Sequence, residues 1–331
     1  MQSVKAGSQY DVVIAGGGYI GLSVALGLAR EIGPDLRIAV VDRAAGPAQP
    51  PATEGADPRA SAISAGSINL LRALGIWRQV EDAATPVTSI ELTDSSLNAG
   101  VRRPLLTYDN VAADGEPASY ILPNAELAVA LERSVTACAS ITRVFSASVS
   151  GFQTDAGRSV VVFDDGRRFE TEFAIAADGR RSGLREAAGI GTVGWDYDQT
   201  GIVTTITHDA DHHNRAIQHF LPGGPFALLP LKGGHRSCIT WSETATEAKR
   251  IMALDNAAFL EEVDVRVAGR LDTVKLDGPR KSWPLEAHLA RSYIGTRLAV
   301  IGDAAHGVHP IGGQGLNLGF RDVAALIECI A

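Results

Sequence analysis

A glycine-rich loop near the start of the chain has the spacing needed to hold a diphosphate. Its three glycines follow the pattern G-x-G-x-x-G, in which the first permits a tight turn, the second lets backbone approach a phosphate and the third allows close helix–strand packing. An aspartate lies 42 − 21 = 21 residues after the third glycine, where an acid can meet a ribose hydroxyl. The pattern therefore predicts a dinucleotide site with these contacts: Gly16, Gly18, Tyr19, Ile20, Gly21, Asp42 and Arg43.

Two later motifs have the same design of an apolar strand followed by an aspartate and a helix start. Asp178-Gly179 is followed by Ser182 and Arg185, and Gly302-Asp303 by a glycine-rich loop over residues 312–317. A helix N-terminus presents free N–H groups and a partial positive charge, so it suits an anionic ligand. The first loop alone does not distinguish FAD from NAD.

The elements around these motifs alternate between two kinds of structure. Asp11–Ala15, Gly18–Glu31 and Arg37–Asp42 read as strand, helix and strand, a βαβ start. The middle of the chain predicts antiparallel hairpins around residues 164–166 and 232–234. A strand at Arg297–Ile301 and a helix at Gly315–Ala331 return to α/β structure. We predict an α/β fold with a Rossmann-like nucleotide-binding domain and an inserted antiparallel sheet.

Composition excludes several classes of protein. The net charge of −8 without a dense Lys/Arg stripe argues against nucleic-acid binding. Three scattered cysteines predict neither a disulfide framework nor a zinc site, and we expect buried or inert thiols. The histidines between residues 208 and 219 match no metal motif, so we expect a surface loop. We expect no signal peptide and no membrane-spanning helix.

The three motifs, in this order, resemble the class A flavoprotein monooxygenases, the family with the para-hydroxybenzoate hydroxylase fold. The segment Asp57-Pro58-Arg59 looks like the D-x-R segment of that family. The stretches at residues 74–77 and 283–285 look more narrowly like the ubiquinone-biosynthesis hydroxylases. The resemblance implies FAD as the cofactor, bound in a Rossmann-like domain of the GR2 type.

The resemblance also implies roles for individual residues. Asp303 is expected to bond the ribityl hydroxyls, and backbone N–H groups of Leu316 and Asn317 the flavin pyrimidine edge. Pro310 is expected to position the reactive flavin face, with no acid or base assigned, and Arg59 to lie near the diphosphate. The remaining expected cofactor contacts are Asn124, Asp178, Gly302, Gly313 and Gly315.

The chemistry implied by the resemblance is ring hydroxylation. FAD is reduced by NADH, NADPH or another reductant, reduced flavin traps O₂ as a C4a-hydroperoxide, and an electron-rich ring takes one oxygen. The implied substrate is a polyprenylated phenol or quinol, which places a cytoplasmic protein peripherally at the inner face of the membrane. A ubiquinone-synthesis complex is an implied partner. Alternatives are a hydroxylase of a soluble aromatic compound and a non-catalytic FAD-binding subunit. A flavin halogenase lacks support because the Trp-x-Trp-x-x-Pro motif of halogenases is absent, and a plain NAD dehydrogenase leaves the third motif unexplained.

The same resemblance divides the chain. The FAD-binding domain is expected at residues 1–85, 111–190 and 286–331, and the substrate domain at residues 86–110 and 191–285. The C-terminal helices that usually follow in the family are expected to be missing.

Several of these residues can also be interpreted as having purely structural roles. Asn124 and Ser182 could each be only a helix N-cap, and Arg185 only a surface charge. We expect His306 to be structural. Trp195 and Tyr197 could line the substrate cleft or pack on the sheet.

Overall fold

The computed structural model describes residues 8–50, 57–97, 99, 102–113, 115–155 and 157–331. The first seven residues, where we expect no signal peptide, lie outside this part. The strands are β1 Ser8–Ala15, β2 Ile38–Val41, β3 Ala60–Ser64, β4 Thr85–Pro86, β5 Ser89–Asp94, β6 Leu106–Asp109, β7 Ser119–Pro123, β8 Ile141–Val144, β9 Val149–Thr154, β10 Ser159–Phe163, β11 Arg168–Ala176, β12 Thr192–His208, β13 Arg215–Leu221, β14 Gly224–Pro230, β15 Arg236–Thr244, β16 Val274–Leu276, β17 Lys281–Ala290, β18 Ile294–Gly295, β19 Leu298–Val300 and β20 His306–Gly307.

The helices are α1 Tyr19–Ile32, α2 Ala65–Ala73, α3 Trp77–Val80, α4 Asn124–Thr136, α5 Gly183–Ala187, α6 Ala245–Met252, α7 Asn256–Val267 and α8 Gln314–Ile330. Short 3₁₀ turns occur at Glu81–Ala83, Gly302–Ala304 and Ile311–Gly313. None of the helices in the described ranges is long and apolar enough to cross a bilayer.

The first sheet is built around parallel strands in the order β19-β11-β1-β2-β8. Residues 12–15 of β1 and all of β2 are buried, as expected for parallel strands whose two faces are both covered. Helices α1, α4 and α8 pack together on one face through apolar side chains that include Leu28, Leu131 and Phe320. The predicted βαβ start is confirmed, with α1 beginning one residue later than expected.

The second sheet follows the order β20-β17-β12-β15-β14-β13-β5-β6. Its pairs are antiparallel except for β13 with β5, which run parallel. One face packs on α6 and α7 through a core that includes Ile206, Trp241 and Phe259. The two predicted hairpins are confirmed as β10–β11 and β14–β15, and the predicted α/β fold with an antiparallel sheet is confirmed.

The expectation of a surface loop for the histidines is only partly right, because His212 and the exposed His213 lie in the loop after β12 whereas the other two lie in strands. His208 ends β12, His219 lies within β13, and His208, His212 and His219 are each less than a tenth exposed. Buried polar groups need partners, and the Nε2 of His208 bonds the Ser237 hydroxyl at 2.9 Å. Of the three cysteines, Cys238 is buried, Cys138 is half-buried and Cys329 is exposed.

Candidate active site

A cavity of about 1360 Å³ lies between the helix-covered sheet and the uncovered face of the second sheet. This exceeds the roughly 300–1,000 Å³ of an ordinary small-molecule site. It therefore has room for a cofactor and a substrate together. Gly21 and Gly302 lie behind the cavity wall, whereas these expected contacts line it: Gly16, Gly18, Tyr19, Ile20, Asp42, Arg43, Arg59, Asn124, Asp178, Asp303, Pro310, Gly313, Gly315, Leu316 and Asn317.

The glycine loop joins β1 to α1 with three different steric requirements. Gly16 has φ +105°, and a Cβ there would lie 2.2 Å from the carbonyl oxygen of Ala177 on the neighbouring strand end. A Cβ on Gly21 would lie 1.9 Å from the Gly16 carbonyl oxygen. A Cβ on Gly18 would meet no atom of the described chain within 4 Å and would project into open space at the cavity. Gly16 and Gly21 are thus needed by the fold, and Gly18 leaves room for a ligand.

Asp42 follows the end of β2 and holds the glycine loop. Its Oδ2 accepts the Gly17 N–H at 2.6 Å, and its Oδ1 accepts the Ala44 N–H at 2.7 Å. Behind it, Arg143 and Glu132 form a buried ion pair at 3.2 Å. Burial lowers the pKa of Arg143 and raises the pKa of Glu132. Since a carboxylate has about four acceptor positions, Asp42 retains capacity for ribose hydroxyls.

Asp178 lies where β11 ends and has an incomplete set of partners. Its Oδ2 accepts the Leu184 N–H at 3.3 Å, whereas its buried Oδ1 has no hydrogen-bond partner among the described residues. Burial raises the pKa of this carboxyl. Ser182 is the N-cap of α5, as its plain reading predicted.

The surface reading of Arg185 was wrong. The residue is 3% exposed, and its Nη1 donates to the carbonyl oxygens of Ala304 at 2.8 Å and Arg180 at 3.0 Å. A buried guanidinium needs such acceptors. Arg185 therefore ties the second motif to the third.

Asp322 of α8 stabilises the third motif through two contacts. Its Oδ2 accepts the Gly302 N–H at 2.8 Å and lies 2.7 Å from Nε2 of His306. The hydrogen bond to this carboxylate raises the pKa of His306, against the opposing effect of burial. The adjacent Asp303 side chain is exposed to the cavity. His306 is thus engaged within the fold, as expected, while Asp303 is free to meet a ligand.

The N-terminus of α8 points its first turn at the cavity. Gly313, with φ +65°, precedes the helix, and no side chain caps the first-turn N–H groups. The Asn317 side chain is buried and bonds Ala62 O and Ser64 N across the chain, at 2.7 and 2.9 Å. It also accepts the Ser67 hydroxyl at 2.8 Å. The Asn317 side chain therefore holds the helix in place through these bonds.

Two further expected contacts, Arg59 and Asn124, lie beside Tyr19 of the glycine loop. Arg59 forms an ion pair with Asp57 at 2.7 Å, and that hydrogen-bonded carboxylate raises the pKa of the guanidinium. Asn124 is the first residue of α4, and its Oδ1 accepts the Ser61 hydroxyl at 2.8 Å. The N-cap reading of Asn124 was wrong, because Pro123 occupies that position and no side chain caps this helix.

The far wall of the cavity was not identified residue by residue from the sequence. It is the free face of the second sheet, and strand pairing aligns its side chains in rows across β5, β13, β14 and β15. The signal that could have found it is the alternation along each strand, for example Ala216, Gln218 and Phe220 along β13. The wall is largely apolar and includes Val203, Ala216, Phe220, Ala227, Leu229, Trp283 and Leu285.

Trp195 and Tyr197 do not belong to the cavity lining. Trp195 is 62% exposed, and the Tyr197 ring packs on His309 at 5.1 Å between centroids. His309 Nε2 is 3.1 Å from Gln199 Oε1. The cleft reading of these aromatic residues was therefore wrong.

Comparison with known proteins assigns the chain to a family. The sequence profile of the FAD binding domain family matches residues 9–331. The chain belongs to this family. Among curated relatives, ubiquinone hydroxylase UbiL of Rhodospirillum rubrum is 36% identical over 96% of this chain and 71% of its own length. The 3-demethoxyubiquinol 3-hydroxylase of Escherichia coli is 30% identical, covering 97% of this chain and 79% of its own.

Solved structures show the same fold. Pseudomonas aeruginosa PqsL, crystallised with 2-aminobenzoylacetate, superposes with a TM-score of 0.79 at 22% identity, over 97% of this chain and 86% of its own. Aklavinone-11 hydroxylase, in a ternary complex with FAD and aklavinone, gives 0.73 at 20% identity, over 98% and 62%. This member of the FAD binding domain family is an FAD-dependent monooxygenase.

The residues of the cavity fit FAD. The open space beside Gly18 and the uncapped N-terminus of α8 are separate anion-binding features on one wall. The unpartnered Oδ1 of Asp178 is a polar atom that the described chain leaves unsatisfied beside them. FAD, whose diphosphate lies between the adenosine and the ribityl chain that carries the electron-accepting ring, fits this set of groups along one wall.

Proposed function

We propose that this protein hydroxylates the aromatic ring of a prenylated phenol or quinol in ubiquinone biosynthesis. The observation that carries the proposal is one cavity with two unlike walls. One wall has the polar groups and helix N-terminus expected for FAD, and the other is an apolar sheet face. The names of the relatives, a ubiquinone hydroxylase and a 3-demethoxyubiquinol 3-hydroxylase, support a ubiquinone precursor as the substrate.

The cofactor contacts are proposed along the length of the cavity. Gly18 and Arg59 would lie at the diphosphate, and Asp42 at the adenosine ribose. Asp303 would bond the ribityl chain. Backbone N–H groups of Leu316 and Asn317 would meet the flavin pyrimidine edge, where the dipole of α8 stabilises the negative charge of the reduced ring. Bound FAD supplies electron transfer from NAD(P)H and the activation of O₂, with one oxygen atom going to the ring and the other to water.

The residues of the chain have three tasks in this proposal. The apolar wall excludes water from the reacting centre, which suppresses unproductive release of peroxide. Pro310 positions the flavin face. Gln218 and Thr240, with Ser242, are polar side chains on the largely apolar wall, and they would orient the ring hydroxyls. We assign no acid or base.

The proposal also concerns where the protein works. A prenylated substrate resides in a bilayer, so we propose peripheral contact of a cytoplasmic protein with the inner membrane face. Contact with other enzymes of ubiquinone synthesis is part of the same proposal.

The experiment is to purify the chain, identify its released flavin and measure NAD(P)H oxidation with and without a prenylated phenol. The expected result is FAD near one per chain, faster oxidation with the phenol and a product heavier by one oxygen atom. Asp303→Ala is expected to lose FAD and activity, whereas Asp165→Ala, on an exposed hairpin, serves as the control. An FAD-loaded protein that never oxygenates phenols would refute the hydroxylase and favour a non-catalytic FAD-binding subunit.

A further inference from the structure

The edge strand of the second sheet, β6, has exposed apolar side chains, whereas exposed edge strands usually carry polar ones. In β6, Leu106 is 50% exposed and Tyr108 is 43% exposed. They alternate with the polar Thr107 and Asp109, so the strand has one apolar and one polar face. An exposed apolar strip beside a cavity commonly marks a binding surface.

Strand pairing places the apolar face of β6 on the cavity side of the sheet. Leu106 lies opposite Leu92 of β5, and Leu92 lies opposite Gln218 of β13. Residues directly opposite each other in neighbouring strands share a face. Leu92 and Gln218 both line the cavity, so this row runs from the cavity wall to the solvent-exposed edge.

A second row runs beside the first. Tyr108 lies opposite Ile90, and Ile90 lies opposite Ala216. All three line the cavity, and their exposure increases from the half-buried Ile90 to the exposed Tyr108. Neither row contains a charged residue. With strands about 4.8 Å apart, β6 lies roughly 14 Å from β14 at the centre of the wall.

We propose that the residues of these two rows outward of Gln218 form a subsite for the hydrocarbon chain of the substrate, which leaves the cavity across β6. The proposal rests on the proposed function, because it assumes that the ring is held between the flavin and the sheet. The occupant is a flexible apolar chain, since the rows are long, narrow and uncharged. The phenol group of Tyr108 suits the exit, where one end of a side chain is apolar and the other is wet.

The test compares two ligands that differ only in the chain, 2-farnesylphenol and 2-methylphenol. Each is titrated into FAD-loaded protein while the flavin absorption spectrum is recorded, so turnover is not required. The variant is Leu106→Ser with Tyr108→Ser. Its control is Thr107→Ser with Asp109→Ser, which alters the polar face of the same strand.

The variant is expected to raise the Kd for 2-farnesylphenol about tenfold, equivalent to about 1.4 kcal/mol. It should change the Kd for 2-methylphenol less than about twofold, and the control should change neither. An unchanged Kd for 2-farnesylphenol, or equal weakening of both ligands, would overturn the proposal. So would a variant that binds 2-farnesylphenol normally yet fails to sediment with phosphatidylglycerol vesicles, since β6 would then contact lipid and not the substrate chain.

Failure of the proposed function has a different signature. A protein that never hydroxylates either phenol still reports the difference between their Kd values. Thermal unfolding and bound FAD verify that the variant remains folded, which is expected because both substituted side chains are exposed.

Discussion

Gly18 offers a way to separate cofactor binding from folding. Its backbone has φ −81° and ψ −173°, an extended conformation that any residue adopts. A Cβ there meets no described atom within 4 Å. Gly18→Val should therefore change the free energy of unfolding, measured in urea without FAD, by no more than about 1 kcal/mol.

The same substitution should strongly weaken FAD binding. The valine side chain would occupy the space into which the proposed diphosphate must approach the loop. Hydrogen bonds to a charged group contribute about 1.5–3 kcal/mol each. Losing two of them corresponds to an increase in Kd of at least about a hundredfold. The Kd is measured from the quenching of FAD fluorescence on titration with protein.

Two other glycines provide the comparison. Gly66→Ala, in α2 and away from the cavity, places a Cβ in equally open space and should leave the Kd unchanged. Gly16→Ala combines φ +105° with a 2.2 Å contact, so it should lower the stability of the FAD-free protein itself. A Kd of Gly18→Val for FAD within about threefold of the Kd of the unsubstituted protein, with both proteins equally stable, would refute this prediction. The diphosphate would then not lie against this loop.

Three further substitutions probe the supports of the site. The raised pKa of His306 means that its pair with Asp322 is stabilising below the ordinary value of 6.5 and is lost as pH rises through the raised value. Asp322→Asn should therefore lower the Tm more at about pH 6 than at about pH 8.5, and an equal loss at both would contradict this. Arg266 is 1% exposed and forms ion pairs with Glu243 and Glu262. Arg266→Met should therefore lower the free energy of unfolding in urea by about 3–5 kcal/mol. A decrease below about 1 kcal/mol would exclude a buried charge pair. Asn317→Ala leaves several buried groups unpaired and should cost about 1–3 kcal/mol, while a Tm unchanged in calorimetry would contradict its fastening role.

The cofactor wall was predictable because its determinants are local in the sequence. The turn at Gly16, the space at Gly18 and the position of Asp42 all follow from one βαβ unit whose geometry is nearly fixed. The third motif behaves in the same way, since Gly313 directly precedes the helix that presents its N–H groups. Within such a unit, spacing along the chain determines spacing in the molecule.

The errors at Arg185 and at His219 have a different cause, which is that burial depends on partners distant in the sequence. Arg185 is buried because it reaches the carbonyl of Ala304, 119 residues away. His219 is buried because Thr93 of β5, 126 residues away, bonds its Nδ1. That site lowers the pKa of His219 to about 4 through loss of solvation, so the ring is neutral. Neither partner is apparent from the residues that flank Arg185 or His219.

The far wall of the cavity, which we call the substrate wall, also depends on partners that are distant in the sequence. The row Leu106, Leu92, Gln218 exists only because β5 lies parallel to β13, a pairing that joins residues more than a hundred positions apart. A shift of the register by one residue would turn Leu92 away from the cavity and bring the buried Glu91 towards it. Glu91 is held on the opposite face by ion pairs with Arg270 and with Arg215, the latter at 3.5 Å. These ion pairs therefore help to fix the register that keeps the substrate wall apolar, and they do so without touching the cavity.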